Sequence, residues 1–205
     1  YQDIPNDGKI SAAKTRQLRH GYYACVSYID SLIGRLLKQL SKLQLTENTV
    51  VVVWGDHGFH LGEQGLWTKA NNYELSTRVP LIMALPNPSS NHPHLAPQQR
   101  GTTCHKLVEL TDIFPTLVDI CRLPAPMGLE GSSFSGLLKD PNQPWKSAVF
   151  SQHPRDEKGN RHKSHGTIMG YSVRTDRYRY VEWKVWDTGK IIASELYDHP
   201  SDALE

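Results

Sequence analysis

The chain has 205 residues, with 38% hydrophobic and 21% charged positions, the balance of a globular protein able to bury a core. A formal net charge of +2 gives no electrostatic basis for nucleic-acid binding. The longest apolar runs, TVVVVW and VPLIMALP, are too short to cross a bilayer, so no membrane span is expected.

Taken in chain order, the opening YQDIPNDGK has no charged segment leading into an apolar one and is not a signal peptide. It also lacks a starting Met, and the closing YDHPSDALE stops without a terminating element, so the expectation is a fragment of a longer polypeptide. Ser11 to Leu43 reads as one long helix, because Tyr22, Val26, Ile29, Ile33, Leu36, Leu37 and Leu40 recur by threes and fours. Gln44 to Asn48 breaks it. Thr49 to Trp54 is a strand without alternation, which predicts a central parallel strand covered on both faces. Val79 to Leu85 predicts a second such strand. Pro86 to Gly101 is a loop by composition, and Asp112 to Leu123 is a helix with Pro115 tolerated in its first turn. Leu123 to Gly136 is a further loop, after which SAVFSQ, TIMGYSVRT, RYRYVEWKV and IIASELYD read as short antiparallel strands. The expected class is α/β, with a mixed or parallel sheet sandwiched by helices over residues 1–125 and a small antiparallel sheet over 126–205.

The three cysteines, Cys25, Cys104 and Cys121, have spacings that fit no zinc pattern. Cys25 and Cys121 share apolar helical stripes and are expected to be small buried hydrophobes.

The chemistry concentrates in WGDHGFHLGEQGLWTK, Trp54 to Lys69, which leaves a buried strand directly. In an open α/β sheet, ligands gather at the carboxyl ends of the strands. Asp56 and His57 stand there, between Gly55 and Gly58, which allow a tight turn. A carboxylate beside an imidazole is half of a metal site, and alone the tripeptide is more often an ordinary turn. The longer pattern, continuing through Leu61, Gly62, Glu63, Gly65, Trp67 and Lys69, is far more specific.

That string resembles the second signature region of the type I sulfatases, within the alkaline-phosphatase-like superfamily. The resemblance extends to YYACVSYIDSLIGRLL, RVPLIMALP, LVELTDIFPTLVDIC and ELYDHPSDALE, and so covers nearly the whole chain. NNYELSTRVPL, SQHPR and IMGYSVRTDRYRYVEW look most like the iduronate-2-sulfatase branch. The resemblance implies the C-terminal part of an alkaline-phosphatase-like fold and sulfate-ester hydrolysis. It makes Asp56 a ligand of a divalent metal, usually calcium, and His57 a metal contact or a hydrogen-bond donor to sulfate. Lys69 would grip sulfate oxygens, where a cation suits the charge that sulfuryl transfer spreads over them. Phe59 and His60 would line the substrate mouth, while Glu63 pairs within the loop and Trp67 packs it down. Relatives are secreted, periplasmic or lysosomal.

Sulfatases of this type hydrolyse with a formylglycine made from Cys in a Cys-x-Pro/Ala-x-Arg motif. CVSYI, CHKLV and CRLPA all fail that pattern. The resemblance therefore places the nucleophile and a paired-Asp metal motif in a missing N-terminal half, a partner without which this chain should bind calcium weakly and not turn over. Ser151 to His165 carries Arg155, Lys158, Arg161 and Lys163, a solvated loop or a clamp for an anionic sugar, with Asp156 and Glu157 weakening the second reading. In the iduronate-2-sulfatase branch the substrate would be a 2-sulfated uronic acid of a glycosaminoglycan, bound partly by Arg155 and Lys163. Arg174 and Arg177 lie nearby, and alternation turns one of them outward. The rival readings are a phosphatase or phosphonate hydrolase of the same superfamily, and a non-catalytic binder of sulfated glycans.

Overall fold

The computed structural model describes residues 10–86, 101–155 and 167–205. In chain order its elements are α1 (Ala12–Lys42), β1 (Val51–Trp54), β2 (His60–Leu61), β3 (Trp67–Thr68), α2 (Glu74–Thr77), β4 (Leu81–Ala84), α3 (Ile113–Ile120), β5 (Ala148–Arg155), β6 (Ile168–Thr175), β7 (Tyr178–Val185) and β8 (Ile191–Asp198). They divide between two compact units. One holds the described residues up to Lys69 together with Val79–Pro86; the other holds Ala70–Arg78 and the described residues from 101 onward.

In the first unit, Ser11 starts α1 by accepting a hydrogen bond from the Lys14 amide at 3.2 Å. The helix ends as the Leu43 amide turns back to Gln39, with Lys42 in the last turn complementing the dipole. No residue of α1 is buried. Its apolar stripe, including Val26, Ile29, Leu36 and Leu37, stays exposed, and so does Cys25. The buried placement read for Cys25 is thereby corrected: a helical stripe reports that a face wants cover, and nothing among the described residues covers this one. Cys121 is exposed as well, because it falls at the C-cap of α3, past the buried positions Val118 and Ile120.

β1 and β4 form a two-stranded antiparallel sheet, with Val52 opposite Met83 and Trp54 opposite Leu81. The parallel neighbour predicted for Thr49 to Trp54 is not what pairs with it among the described residues. A continuous apolar run carries information about coverage and none about the direction of the next strand. Two faces remain half-covered here, with Trp54 and Ile82 exposed. The Gly55 amide donates to Pro80 O at 3.1 Å and extends the ladder by one rung. β2 and β3 are a short hairpin, His60 facing Thr68 and Leu61 facing Trp67.

In the second unit, α3 buries Ile113, Thr116, Val118 and Ile120, and Phe134 and Leu137 complete a small core. Pro115 stands in the first turn, where its missing N–H breaks no helical bond. Glu109 and Asp112 reciprocally cap the 3-10 turn Leu110–Asp112 that leads into α3, and the buried Asp112 also accepts from the Ser132 amide at 2.8 Å. Thr116 Oγ1 donates to Asp112 O at 2.6 Å and accepts from the Phe134 amide at 2.9 Å, so the loop after α3 is tied to the helix.

β5 to β8 are a meander in sequence order, antiparallel throughout. Alternation sorts β7 cleanly: Arg179, Val181 and Trp183 are buried, while Tyr178 and Tyr180 are exposed. The opposite row, Phe150, Val173, Tyr180 and Leu196, runs across all four strands in register. Gly170 on β6 admits no side chain; an added Cβ would lie 2.5 Å from Trp183 Cζ3 and 2.7 Å from Asn72 Nδ2.

Candidate active site

Asp56 follows β1 by two residues, on a turn whose closing hydrogen bonds are its own. Its Oδ1 accepts from the His57 amide at 3.0 Å, and its Oδ2 lies 3.4 Å from His57 Nε2. His57 Nδ1 is 2.9 Å from Gly58 O. The imidazole is thus held from two sides, while the carboxylate side chain is 82% exposed. An exposed carboxylate that is already oriented is suited to an incoming cation. One carboxylate and one imidazole are a partial set for a hard ion that takes six to eight oxygens, roughly.

The rest of the motif holds the loop in shape. Glu63 Oε2 accepts from the Leu61 amide at 2.6 Å, and its other oxygen is 3.8 Å from Arg19 of α1. Burial works to raise the Glu63 pKa, but the loop amides, Arg19 and His60 outweigh it and hold the carboxyl below its ordinary value. Arg19 Nε also donates to Leu61 O at 2.9 Å. Trp67 packs against Gly62, where an added Cβ would meet its ring at 3.2 Å and where φ is +110°. The Phe59 and Tyr22 rings lie 5.2 Å apart, so Phe59 leans on α1. His60 has no exposed surface. It therefore lines no open mouth in this structure: placed opposite Thr68 in the hairpin, it is enclosed by protein.

Lys69 is exposed directly after the hairpin. The residues on either side of it have left-handed backbones without being glycine, Thr68 at φ 75° and Ala70 at φ 88°. For a β-branched residue that conformation is an outlier costing roughly 1–3 kcal/mol, and such strain persists only where the surroundings impose it.

Arg155 closes β5 with its guanidinium 4.0 Å from the centroid of the Trp183 ring, a stacking contact as well as a charge. Lys158, Arg161 and Lys163 lie outside the described residues, as do Asp156 and Glu157. Of the two arginines singled out beside them, Arg177 points outward and pairs with Asp198 at 2.9 Å, whereas Arg174 is largely buried near Glu74.

A second cluster went unread in the sequence. Arg179 is buried and donates to Glu74, Thr77, Ser172 and Glu205. His199 Nε2 lies 2.8 Å from Glu205 Oε1. Burial pushes the Glu205 carboxyl up, against the pull of Arg179. Among the described residues, Glu74, His199 and Glu205 are a group close enough to share an ion, with ligand atoms within 4.8 Å of one another. The guanidinium already supplies the positive charge there. Charged residues usually read as solvated surface; the available signal was parity, since Arg179 alternates with Val181 and Trp183 on the buried side of β7.

Comparison with known proteins decides the kinship. The family model described as Sulfatase matches residues 2–122. The chain belongs to the sulfatase family. Human iduronate 2-sulfatase is 32% identical over 246 aligned residues, taking in 97% of this chain and 45% of that protein. A protein solved in complex with its substrate, D-glucosamine-2-N,6-O-disulfate, superimposes with a TM-score of 0.76 at 27% identity, over 96% of this chain and 37% of the other. The phosphonate monoester hydrolase of Silicibacter pomeroyi shares the fold, with a TM-score of 0.77 at 23% identity, over 95% of this chain and 37% of its own. The sulfatase chain described here thus spans less than half the length of these relatives. Its α/β architecture with small antiparallel sheets is that of the alkaline-phosphatase-like sulfatases, as the resemblance implied. No helix among the described residues is long and apolar enough to cross a membrane.

Proposed function

We propose that this chain contributes the sulfate-gripping and part of the metal-binding apparatus of a sulfuric ester hydrolase. The observation that carries the reading is the Asp56–His57 turn and Lys69, brought into one compact unit by a motif inside the sulfatase match. Asp56, with His57 beside it, would hold a divalent ion, calcium, which when bound would offset charge on the sulfate oxygens. His57 is oriented by Gly58 O and by Asp56, and would present its ring to the metal or to sulfate. Lys69 would meet sulfate oxygens through its ammonium group, favouring the charge that accumulates on them in the transition state. Phe59 would form part of the apolar wall, and His60 would support it from behind the loop. Arg155 and Lys163 would meet an anionic sugar.

The substrate we favour is a 2-sulfated uronic acid of a glycosaminoglycan, for which the similarity to iduronate 2-sulfatase is the support. The formylglycine nucleophile would come from the remainder of the enzyme, since no cysteine of this chain lies in the Cys-x-Pro/Ala-x-Arg pattern. By itself the chain would be inactive. A lysosomal or extracellular setting suits that substrate. The test is sulfate release from sulfated uronide disaccharides by the full-length gene product with calcium, beside the 205-residue chain alone. Release by the long protein only supports the reading. Release of phosphate from phosphate or phosphonate esters in place of sulfate would transfer the site to a phosphatase or phosphonate hydrolase, and tight sugar binding without hydrolysis would make it a lectin-like relative.

A further inference from the structure

We propose that Arg19 is a positioning residue for Lys69, holding the β2–β3 hairpin against α1 so that the lysine at the hairpin's end keeps one direction. The proposal rests on Lys69 being the sulfate-gripping residue.

Arg19, the hairpin and Lys69 all lie in the first compact unit. Arg19 Nε donates to Leu61 O at 2.9 Å, and Nη2 lies 3.8 Å from Glu63 Oε1. The other Glu63 oxygen accepts from the Leu61 amide at 2.6 Å. Leu61 stands opposite Trp67 in the hairpin, yet both of its backbone groups go to side chains. The alternation of an antiparallel pair explains this. The Gly62 amide donates across the ribbon to Leu66 O at 2.9 Å, so its neighbour Leu61 turns amide and carbonyl outward, to the open edge of β2. Arg19 and Glu63 close that edge. Tyr22, three residues along α1, shares the helix face of Arg19. Its ring lies 5.2 Å from that of Phe59, which immediately precedes β2. The helix therefore grips the hairpin at two points, by a guanidinium and by a ring.

Two facts argue that this grip aims the lysine as well as adding stability. Each strand of the hairpin has two residues, and a two-stranded ribbon of that size has little stability of its own in water. Among the described residues β2 and β3 pair only with each other, apart from the β1–β4 sheet that leads into Asp56. The place of the hairpin is thus set by what holds it from outside. The second fact is strain. Thr68 ends β3 directly before Lys69 and has a φ of 75°, which a β-branched residue keeps only where its surroundings impose it. Its partner in register is His60, enclosed by protein and adjacent to the held Leu61. Freeing Leu61 from Arg19 loosens β2, lets Thr68 relax, and the ammonium loses its aim. The Arg19 side chain is 44% exposed and α1 buries no residue, so removing the guanidinium opens no cavity and the fold survives.

The test uses the full-length enzyme carrying Arg19→Met, which keeps a long helix-forming side chain and loses the donors. Lys69→Ala and the double variant complete a cycle, with kcat and KM for a sulfated uronide disaccharide read well below each melting point. Amide hydrogen exchange is read in the same proteins at residues 61–69 and, for comparison, 51–54. The expected result is faster exchange at 61–69 with 51–54 unchanged, and a roughly 10- to 100-fold fall in kcat with little change in KM. In the Lys69→Ala background the same substitution should cost less than about twofold, because its effect passes through the lysine. Equal losses in both backgrounds, an unchanged kcat, or unchanged exchange at 61–69 would each overturn the proposal and leave Arg19 a surface ion pair. Full activity of Lys69→Ala would instead sink the assignment of Lys69, and this proposal with it. Should Arg19→Met fail to fold, Glu63→Gln removes the charge from the other half of the latch; it should show the same exchange signature in milder form, and no change there would equally overturn the idea.

Discussion

Lys69 and Asp56 are exposed side chains whose removal leaves no hole. Lys69→Ala in the full-length protein should therefore leave the melting temperature within the scatter of surface substitutions, about 0.5 kcal/mol, while kcat falls roughly 100- to 1,000-fold. A lysine that only decorates the surface would change neither. Asp56→Ala should abolish any response of activity to added calcium, checked by titrating the metal into both proteins after chelation. Both proposals come from a single string, because residue type, spacing and flanking glycines are local features. Arg179 was not legible by that route, since its partner Glu74 is 105 positions away. A charge bound for a distant opposite charge looks, in one dimension, like any solvated charge.

At the scale of elements, the meander β5 to β8 was readable almost to its ends, because turn residues separate the strands and burial alternates along β7 and much of β5, although β8 begins with four exposed positions. The direction of β1's neighbour was not, because pairing direction leaves no mark on the apolar run. Contacts between elements carry two stability predictions. Gly170→Ala should destabilise by about 1–3 kcal/mol in chemical unfolding, since a Cβ there has Trp183 and Asn72 within overlap distance. Thr116→Val, similar in volume, should cost about 1–3 kcal/mol by stranding the buried Phe134 amide. The loop after α3 adds a pH signature. Hydrogen bonds from Ser135 and Ser133 hold the exposed Asp119 carboxyl below its ordinary pKa. That stabilisation is complete above the unfolded value of roughly 3.9 and disappears as pH falls through the lower folded value. Melting temperatures recorded across that acid window should fall more steeply for the native protein than for Asp119→Asn.

For the whole molecule, kinship was the most legible property, carried by strings spread from YYACVSYIDSLIGRLL to ELYDHPSDALE. Two compact units form from a length that is less than half that of human iduronate 2-sulfatase. Calcium should shift the melting temperature of the isolated chain far less than that of the full-length protein, because a ligand stabilises in proportion to how tightly the folded state holds it. Equal shifts would mean that Asp56 and His57 bind the ion without help.

The helix α1 has a further consequence in the cell. Thirty-one residues long, it buries none of them, and Tyr23, Tyr28 and Leu36 lie open along it. Chaperones and proteases recognise nascent or damaged polypeptides by such greasy, accessible stretches. An uncovered stripe of this kind on the 205-residue chain is the sort of surface such factors bind. Limited digestion should cut within α1 before it cuts β6 or β7, and a chain shielded along this helix should resist at the same bonds.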